Sequence, residues 1–345
     1  MRSSAATPPN STGGEDMTRP KQMKAAYIEA TGGVGNIRVG DLPVPEPGAT
    51  EVLIRMEASE VNHVDLFVRS GAFPTALTFP FVIGRDLVGT VVSVGEAIDE
   101  FRVGDRVWSN SLGHGGRQGS FAEFVTAPAD RVYRLPEGID PAEAGPVLHS
   151  AGTAHIGLVR EARLRPGENI VVGSASGAVG TAIVELAATM GARVIAGAST
   201  GDEAWVAERG ADIVIDKHAE DFYDQVGRAA PDGVDVWWDP NGHDDFDRSV
   251  PLLAHGARVV VMAGMQSSPR VPIGQLYTRE ASVLGFAISN ASAADLAEAA
   301  TTINHMLAAR RLKARIGASF HLAEAAEAHR MLEAGGVRGR ILILP

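Results

Sequence analysis

The sequence predicts an α/β protein in which a doubly wound parallel sheet is combined with a mostly antiparallel, partly barrel-like β domain. Two patterns support this prediction. From residue 24 to about 134, short β-rich runs are separated by prolines, glycines and turns, as in antiparallel domains. From residue 169 to about 286, β-rich runs alternate with helical stretches, as in a parallel sheet covered on both faces. A chain of 345 residues is long enough for about two such domains.

The individual elements follow from these patterns. In the first region the predicted strands are the runs 25–28, 52–56, 87–94, 106–108 and 121–125. A helical stretch is predicted over residues 141–161. In the second region the predicted strands are 170–172, 193–196, 212–215, 234–238, 258–262 and 282–286. Two helical stretches and a last strand complete the chain, at about 293–309, 322–333 and 341–344.

The glycine-rich turn over residues 173–180 carries the clearest functional signal. It follows an apolar run and precedes a stretch whose apolar residues recur at helical spacing. A strand, a glycine turn and a helix form half of a dinucleotide-binding fold, in which backbone N–H groups and the helix N-terminus bind a pyrophosphate. The alternative is an ordinary turn without a ligand. The predicted cofactor contacts of the turn are Ala175, Ser176, Gly177, Ala178, Val179 and Gly180.

Two glycines of this turn have expected roles. Gly177 is expected to let the backbone approach the ligand closely, and Gly180 to let the helix pack against the strand. Ala175 stands where the first glycine is usual, so the pattern is A-x-G-x-x-G and weaker than the full motif.

Composition narrows the function classes. The net charge of −11 argues against a nucleic-acid partner, because neutralising phosphates requires clustered Lys and Arg. The absence of Cys excludes disulfides, iron–sulfur clusters and thiolate zinc sites. No apolar run approaches the ~20 residues of a membrane span, so a cytoplasmic protein without a membrane partner is expected. Residues 1–22 are polar and are expected to be a disordered tail, with Met17 or Met23 as alternative starts.

Six segments in order along the chain resemble the zinc-independent, zeta-crystallin-like quinone oxidoreductases of the medium-chain dehydrogenase/reductase superfamily. They are residues 61–71, 83–91, 103–107 and 119–124, the glycine turn, and residues 256–260. The resemblance covers residues 24–345 and implies a GroES-like substrate domain built from 23–145 and 285–345. A Rossmann dinucleotide domain over 146–284 would lie between these parts, with the active site in the cleft.

The resemblance also bears on metal binding. Zinc-dependent members of the superfamily hold the metal with two cysteines and a histidine, and the matching positions here are Asn62, Arg85 and, less directly, His149. An amide and a cation cannot replace a thiolate and an imidazole around Zn²⁺. No zinc is therefore expected. Hydride delivery to a conjugated acceptor is favoured over the interconversion of simple alcohols, because such an acceptor delocalises the developing charge itself.

The nature of the cofactor is predicted from the end of the second strand of the parallel sheet. NAD-selective folds carry an Asp or Glu there, whereas this chain has small neutral residues. Ser199, Thr200 and Lys217 are expected to bind a 2′-phosphate, which favours NADPH over NADH. Lys217 is alternatively a solvated surface charge. Asp202 and Glu203 oppose a phosphate unless they point to solvent at a helix start.

At the nicotinamide end, the resemblance implies cofactor contacts from Thr153, Asn241, Ala263, Gly264, Phe286 and Ile288. Candidate catalytic residues are Asn62, His63 and His149. Asn62 is alternatively a turn-capping amide, His63 a pyrophosphate-facing group, and His149 a structural histidine. Phe67 and Phe73 stand where close relatives commonly carry tyrosines, and are expected to make the substrate pocket more apolar.

The leading hypothesis is a metal-free, NADPH-dependent reductase of quinones or α,β-unsaturated carbonyl compounds. An enoyl reductase acting on a thioester or polyketide-like intermediate is the alternative enzyme. A dinucleotide-binding sensor or scaffold with little catalysis is the alternative of another class. The resemblance further implies a homodimer formed by pairing of the strands near residues 282–286.

Overall fold

The computed structural model describes residues 20–243 and 245–345 of the chain. The expected tail over residues 1–22 lies mostly outside the described residues, although Gln22 already belongs to the first strand. None of the described helices combines the length and the apolar composition that crossing a bilayer requires.

The first part of the chain forms a β domain. Its elements are β1 (Gln22–Ile28), β2 (Arg38–Pro43), β3 (Glu51–Glu60), α1 (His63–Ser70), β4 (Phe81–Val82), β5 (Leu87–Val94), β6 (Arg106–Ser109), β7 (Phe124–Pro128) and β8 (Tyr133–Arg134). Strands β2, β1 and β4 form a small sheet, β3, β5, β6 and β8 belong to a larger one, and β7 pairs with β3. These pairings are antiparallel, as the sequence predicts.

The middle of the chain forms a parallel sheet with helices between its strands. Its elements are α2 (Pro141–His155), β9 (Asn169–Val172), α3 (Ala178–Thr189), β10 (Arg193–Ala198), α4 (Glu203–Glu208), β11 (Ile213–Asp216), α5 (Phe222–Ala229), β12 (Val234–Trp238), α6 (Phe246–Ser249), β13 (Leu253–Val261), α7 (Ile273–Thr278) and β14 (Ser282–Gly285). The strand order is β11-β10-β9-β12-β13-β14. This order reverses direction between β9 and β12, the topological switch point at which open α/β sheets bind ligands.

The end of the chain returns to the β domain. Its elements are α8 (Ala293–Ala308), β15 (Ile316–His321), α9 (Ala325–Ala334) and β16 (Arg340–Leu344). Strand β16 pairs with β15 and with β3, which joins it to the larger antiparallel sheet. Helix α8 packs instead against α2.

Helix α2 lies between the two domains. It packs against β3 and β5 on one side and against α3 on the other, within one apolar core that both domains share. A π-helical turn (Ile156–Glu161) continues α2. There a glycine is required, because a Cβ at Gly157 would lie 2.0 Å from the indole ring of Trp238 on β12. This shared core fixes the position of one domain against the other.

Candidate active site

The glycine turn lies at the switch point and is held from both sides. Its Ala175 N–H donates to the carbonyl of Gly197 on β10 (2.8 Å), and the Ser174 hydroxyl accepts from the Asn241 side-chain amide (3.0 Å). Asn241 follows β12, so the second contact bridges the loops on either side of the switch point. The turn is therefore fixed before any ligand binds.

The two glycines of the turn for which the sequence predicts roles have different surroundings. A Cβ at Gly180 would lie 2.0 Å from the Ser174 carbonyl oxygen and 2.8 Å from the Ala175 Cα, so only glycine lets α3 pack here. A Cβ at Gly177 would meet only the Ser174 oxygen, at 3.6 Å, and Gly177 has an ordinary φ of −76°. The packing of the described residues therefore does not require a glycine at position 177. The open space beside it is where a ligand would contact the protein backbone.

Alanine substitutions should separate the two roles. Gly177→Ala is expected to cost less than about 1 kcal/mol of stability, the cost of a poorer helix cap. It should nevertheless weaken dinucleotide binding at least about tenfold, because the added methyl group blocks close approach. Gly180→Ala is expected to cost about 1–3 kcal/mol through overpacking. Thermal unfolding and cofactor titration measure both effects, and tight binding by Gly177→Ala would contradict the assignment.

The loops that would hold the adenosine half of a dinucleotide meet beside the turn. The Thr200 hydroxyl donates to the Asp216 carboxylate (3.2 Å), and the Lys217 N–H donates to the Ala198 carbonyl (2.9 Å). Thr200 is exposed, whereas Ser199 and Lys217 are half-buried. The structure thus brings together Ser199, Thr200 and Lys217, and adds the unexpected carboxylate of Asp216.

Asp202 does not point to solvent, whereas Glu203 does, so the two carboxylates differ in their surroundings. Asp202 is 7% exposed and pairs with Arg315 at 2.9 Å. Burial acts to raise its pKa, but hydrogen bonds from Arg315 and the Ser176 hydroxyl and the charge of Arg338 lower the pKa below its usual value. Glu203 is exposed and accepts from the Gly201 N–H (2.7 Å).

The residues expected at the nicotinamide end follow the carboxyl ends of β12, β13 and β14 or lie on α2. The Phe286 ring packs edge-on against Trp238, with centroids 5.8 Å apart. Buried Ile288 lies near Gly152 of α2, and the neighbouring Thr153 hydroxyl donates to the His149 carbonyl (2.9 Å). Gly264, which follows Ala263 in the loop after β13, has φ +82° and packs against the Gly242 carbonyl.

Asn62 is both a helix cap and part of a buried polar cluster. It precedes α1, and its backbone N–H donates to the Asp65 carboxylate (2.7 Å) in a capping box. Its side-chain amide donates to the Asp86 carboxylate (2.7 Å). Asn62 is therefore held in one orientation, with one amide N–H already engaged.

The cluster behind Asn62 consists of carboxylates, one histidine and one guanidinium. Asp65, Arg85, Asp86 and His149 are each less than 9% exposed, and His149 Nδ1 lies 3.8 Å from an Asp86 oxygen. Four of these buried atoms have no hydrogen-bond partner in the described part of the chain: His149 Nδ1, Asp86 Oδ1, and Nε and Nη2 of Arg85. The site therefore holds unused buried donors and acceptors.

The protonation states in this cluster follow from burial. Burial raises the pKa of Asp65 to about 6, although Arg85 opposes the shift. Burial, with the charges of Glu60 and Asp65, raises the pKa of Asp86 well above its usual value. Burial and the Arg85 charge lower the pKa of His149 to about 3, so its imidazole is neutral at pH 7. A neutral imidazole can donate one hydrogen bond and accept another.

His63, Phe67 and Phe73 lie around α1 and the loop after it. His63 and Phe67 are exposed, and Phe67 is 39% accessible. Phe73 is half-buried and packs edge-on against His114, with ring centroids 5.6 Å apart. Both phenylalanines offer apolar surface near the helix that Asn62 caps.

The residues at the zinc positions of related enzymes do not fit a zinc ion. Arg85 places a buried cation there, and Asn62 is bonded to Asp86. Throughout residues 20–243 and 245–345, no group of three or more His, Asp or Glu is arranged to hold a metal. The donor set thus supplies hydrogen bonds and charge rather than metal coordination.

Several site residues were not identified from the sequence. Arg340 forms an ion pair with Glu60 (3.1 Å) and donates to the Ser150 hydroxyl and the Ala178 carbonyl (2.8 Å each). Burial raises the pKa of Glu60 to about 7, although Arg340 opposes the shift. Of Glu60, Asp86 and Arg340, only Asp86 could have been identified from the sequence, because it follows Arg85 in a segment that carries the family resemblance.

Two known domain families match the regions of the chain that form the β domain and the parallel sheet. The alcohol dehydrogenase GroES-like domain matches residues 48–137, and the domain described as zinc-binding dehydrogenase matches residues 178–305. Quinone oxidoreductase from Mus musculus is 30% identical over 334 residues, which are 95% of this chain and 99% of that protein.

Two solved structures are similar over nearly the whole chain. An NAD-dependent alcohol dehydrogenase has a TM-score of 0.84 at 30% identity, over 94% of this chain and 100% of that one. A mycobacterial protein in complex with NADPH has a TM-score of 0.80 at 32% identity, again over 94% and 100%. The likeness spans both domains, but these two proteins differ in cofactor, so likeness alone does not choose between NADH and NADPH.

Proposed function

Because the chain belongs to the quinone oxidoreductase family of the medium-chain dehydrogenase/reductase superfamily, we propose that it is an NADPH-dependent reductase of quinones or α,β-unsaturated carbonyl compounds that works without a metal. One observation carries the proposal. The fold combines an open glycine turn at the switch point with a buried polar cluster. In that cluster the cation Arg85 stands at the position where zinc-dependent relatives have a metal ligand.

NADPH would supply the hydride from its nicotinamide ring, and the chain would orient and protect the reacting groups. The Ser174–Asn241 bridge and residues 175–180 would hold the pyrophosphate, while Thr153 and Ile288 would line the nicotinamide end. A conjugated acceptor disperses the charge that forms on its oxygen. Asn62 and neutral His149 would stabilise that oxygen by donating hydrogen bonds to it.

The test is NADPH consumption by the purified protein across quinones, enones, enals and enoyl thioesters, with and without a chelator. We expect turnover with quinones or enones that the chelator leaves unchanged, and no stoichiometric zinc by elemental analysis. Turnover confined to enoyl thioesters would indicate the alternative enzyme. NADPH binding without turnover of any acceptor would indicate a sensor or scaffold, and chelator-sensitive activity with one zinc per chain would contradict the metal-free reaction.

We also propose a homodimer formed through the free edge of the parallel sheet. Strand β14 is the last strand in the order, and the residues Ile273, Tyr277 and Val283 on and beside it are 63%, 69% and 40% exposed. A strand whose outer edge has no partner among the described residues, and which is flanked by exposed apolar side chains, is a site where a second copy can pair.

Light scattering at micromolar concentration should give twice the mass of the chain. Val283→Lys should shift the protein toward monomer, because it places a charge on the apolar edge. Val103→Lys, at a 67% exposed position in the β domain, is the matched control and should leave the dimer intact. A monomeric wild type would overturn the proposal.

A further inference from the structure

We infer that Arg338, contributed by the β domain, binds the 2′-phosphate of the cofactor and thereby sets the preference for NADPH. This inference rests on the proposed function in taking a dinucleotide to occupy the glycine turn. Arg338 lies outside both the glycine motif and the loops that follow the strands of the parallel sheet.

The segment that carries Arg338 is anchored to the dinucleotide domain. Two residues further on, Arg340 is 7% exposed and donates to the Ala178 carbonyl at the start of α3. Its backbone N–H donates to the Arg315 carbonyl (2.7 Å). Gly339 permits this close docking, because a Cβ there would lie 2.3 Å from the same carbonyl and its φ is +123°. Arg338 therefore projects from a support fixed to the pyrophosphate turn itself.

The Arg338 side chain reaches the loop that follows β10. Its guanidinium donates to the Thr200 carbonyl (3.5 Å) and lies 3.8 Å from where a Cβ on Gly201 would be. In Rossmann folds the residues after this strand contact the adenosine ribose, and a nearby arginine accommodates a 2′-phosphate. Arg338 is exposed and bonds here to a carbonyl, so it retains N–H groups for an anion.

Asp202, one of the two carboxylates that would repel a phosphate in this loop, is neutralised by an arginine. Asp202 pairs with Arg315, whose guanidinium stacks on the Trp205 ring at 4.5 Å from the centroid. Arg209 stacks on Trp205 as well, at 4.1 Å. Asp202 is thus held by an arginine that is itself fixed in place. Its charge is compensated first by Arg315 and only secondarily by the charge of Arg338, so Arg338 is not its hydrogen-bonded partner.

Two cations around the loop are available to a phosphomonoester. Lys217 follows β11 next to Asp216, whose carboxylate accepts from Thr200 and from the His218 N–H (3.0 Å). With Asp202 compensated, these loops carry two cations, Arg338 and Lys217, and two carboxylates, Asp216 and Glu203. Each carboxylate already accepts a hydrogen bond from the protein, Asp216 from Thr200 and Glu203 from the Gly201 N–H. A 2′-phosphate carries close to two negative charges at pH 7 and can accept from Arg338, Lys217 and the hydroxyl of Ser199.

The test is calorimetric titration of the full chain with adenosine 2′,5′-bisphosphate and with ADP. Arg338→Gln should weaken the bisphosphate about ten- to thirtyfold and ADP less than about threefold, since a partly exposed charge-assisted bond lies at the low end of its range. Lys217→Ala should show the same selectivity. Arg55→Gln removes an equal charge from an exposed position on β3 and should change neither affinity.

The outcomes separate this inference from the proposed function. If the wild type prefers the bisphosphate but Arg338→Gln weakens both ligands equally, or neither, the role of Arg338 is wrong while the choice of NADPH stands. If the wild type prefers ADP, and reduces quinones with NADH, both the role of Arg338 and the choice of NADPH are wrong. Reductase activity toward quinones would still stand in that case.

Discussion

Replacing Arg85 with methionine is expected to lower the free energy of unfolding by about 3 kcal/mol at pH 8, and by less at pH 5. Arg85 is 1% exposed and is the guanidinium that opposes the raised pKa of both Asp65 and Asp86. Without it, ionised carboxylates remain in the core without a nearby cation. At pH 5 they can take up protons instead, because burial already raises the pKa of Asp65 to about 6.

Urea unfolding at the two pH values measures this effect. The double variant Arg85→Met, Asp86→Asn should recover at least about half of the loss, because an amide imitates the protonated acid and removes one charge. Arg55→Met, at an exposed position of β3, is the control and should change stability by less than about 0.5 kcal/mol. A loss that is equal at both pH values, or that Asp86→Asn does not relieve, would show that charge balance is not what Arg85 provides.

The elements that the sequence predicted well have strong local signals. The strands around the glycine turn are short apolar runs buried on both faces, and β9 and β12 fall at or within one residue of the predicted bounds. The role of Gly180 also follows from its motif, and the Ser174 contact explains it physically. Here the local sequence and the packing agree.

Strands with weak signals were not identified. Strands β2 and β15 are exposed or half-buried along their whole length, so neither shows an alternation of apolar residues. The run predicted over 121–125 is a strand only from Phe124, because Ala122 instead forms an isolated bridge with Ala25. Exposure removes the periodic pattern from which a strand is recognised.

The site residues that were missed depend on contacts between distant parts of the chain. Arg340 reaches Ala178 across 162 positions, and Arg338 reaches Thr200 across 138. For Asp202, the sequence left open whether the carboxylate points to solvent at a helix start, where the helix dipole favours it. In the structure Asp202 forms an ion pair with Arg315, which lies 113 positions away along the chain. No local pattern encodes these pairs, which arise only when β16 docks beside the dinucleotide domain.

Replacing His329 with leucine is expected to stabilise the protein, and more so in acid. His329 lies on α9 and is fully buried, and among the described residues neither ring nitrogen finds a hydrogen-bond partner. Its ring packs edge-on against Phe121, with centroids 5.9 Å apart. Leucine fills a similar volume without an unsatisfied polar group, which should contribute about 1–3 kcal/mol at pH 7.

The sign of the pH dependence follows from the direction of the pKa shift. Burial and the charge of Arg69 lower the pKa of His329 to about 3, whereas an unfolded histidine has a pKa of about 6.5. Below about pH 6.5 the unfolded chain binds a proton that the folded chain cannot, so stability is lost as the pH falls toward 3. Between pH 7 and pH 4.5 this single group should account for about 2–3 kcal/mol of lost stability.

The variant should therefore gain over the wild type as the pH falls, and the comparison cancels the other titrating groups. Urea unfolding of both proteins at pH 7 and pH 4.5 measures the difference. His305→Leu, which removes an exposed histidine from α8, is the matched control and should show no such gain. If His329→Leu is less stable than the wild type at both pH values, the neutral imidazole stabilises the fold, and its description as an unsatisfied buried group is wrong. The low pKa of His329 would then reflect a favourable interaction of its neutral imidazole rather than burial without a hydrogen-bond partner.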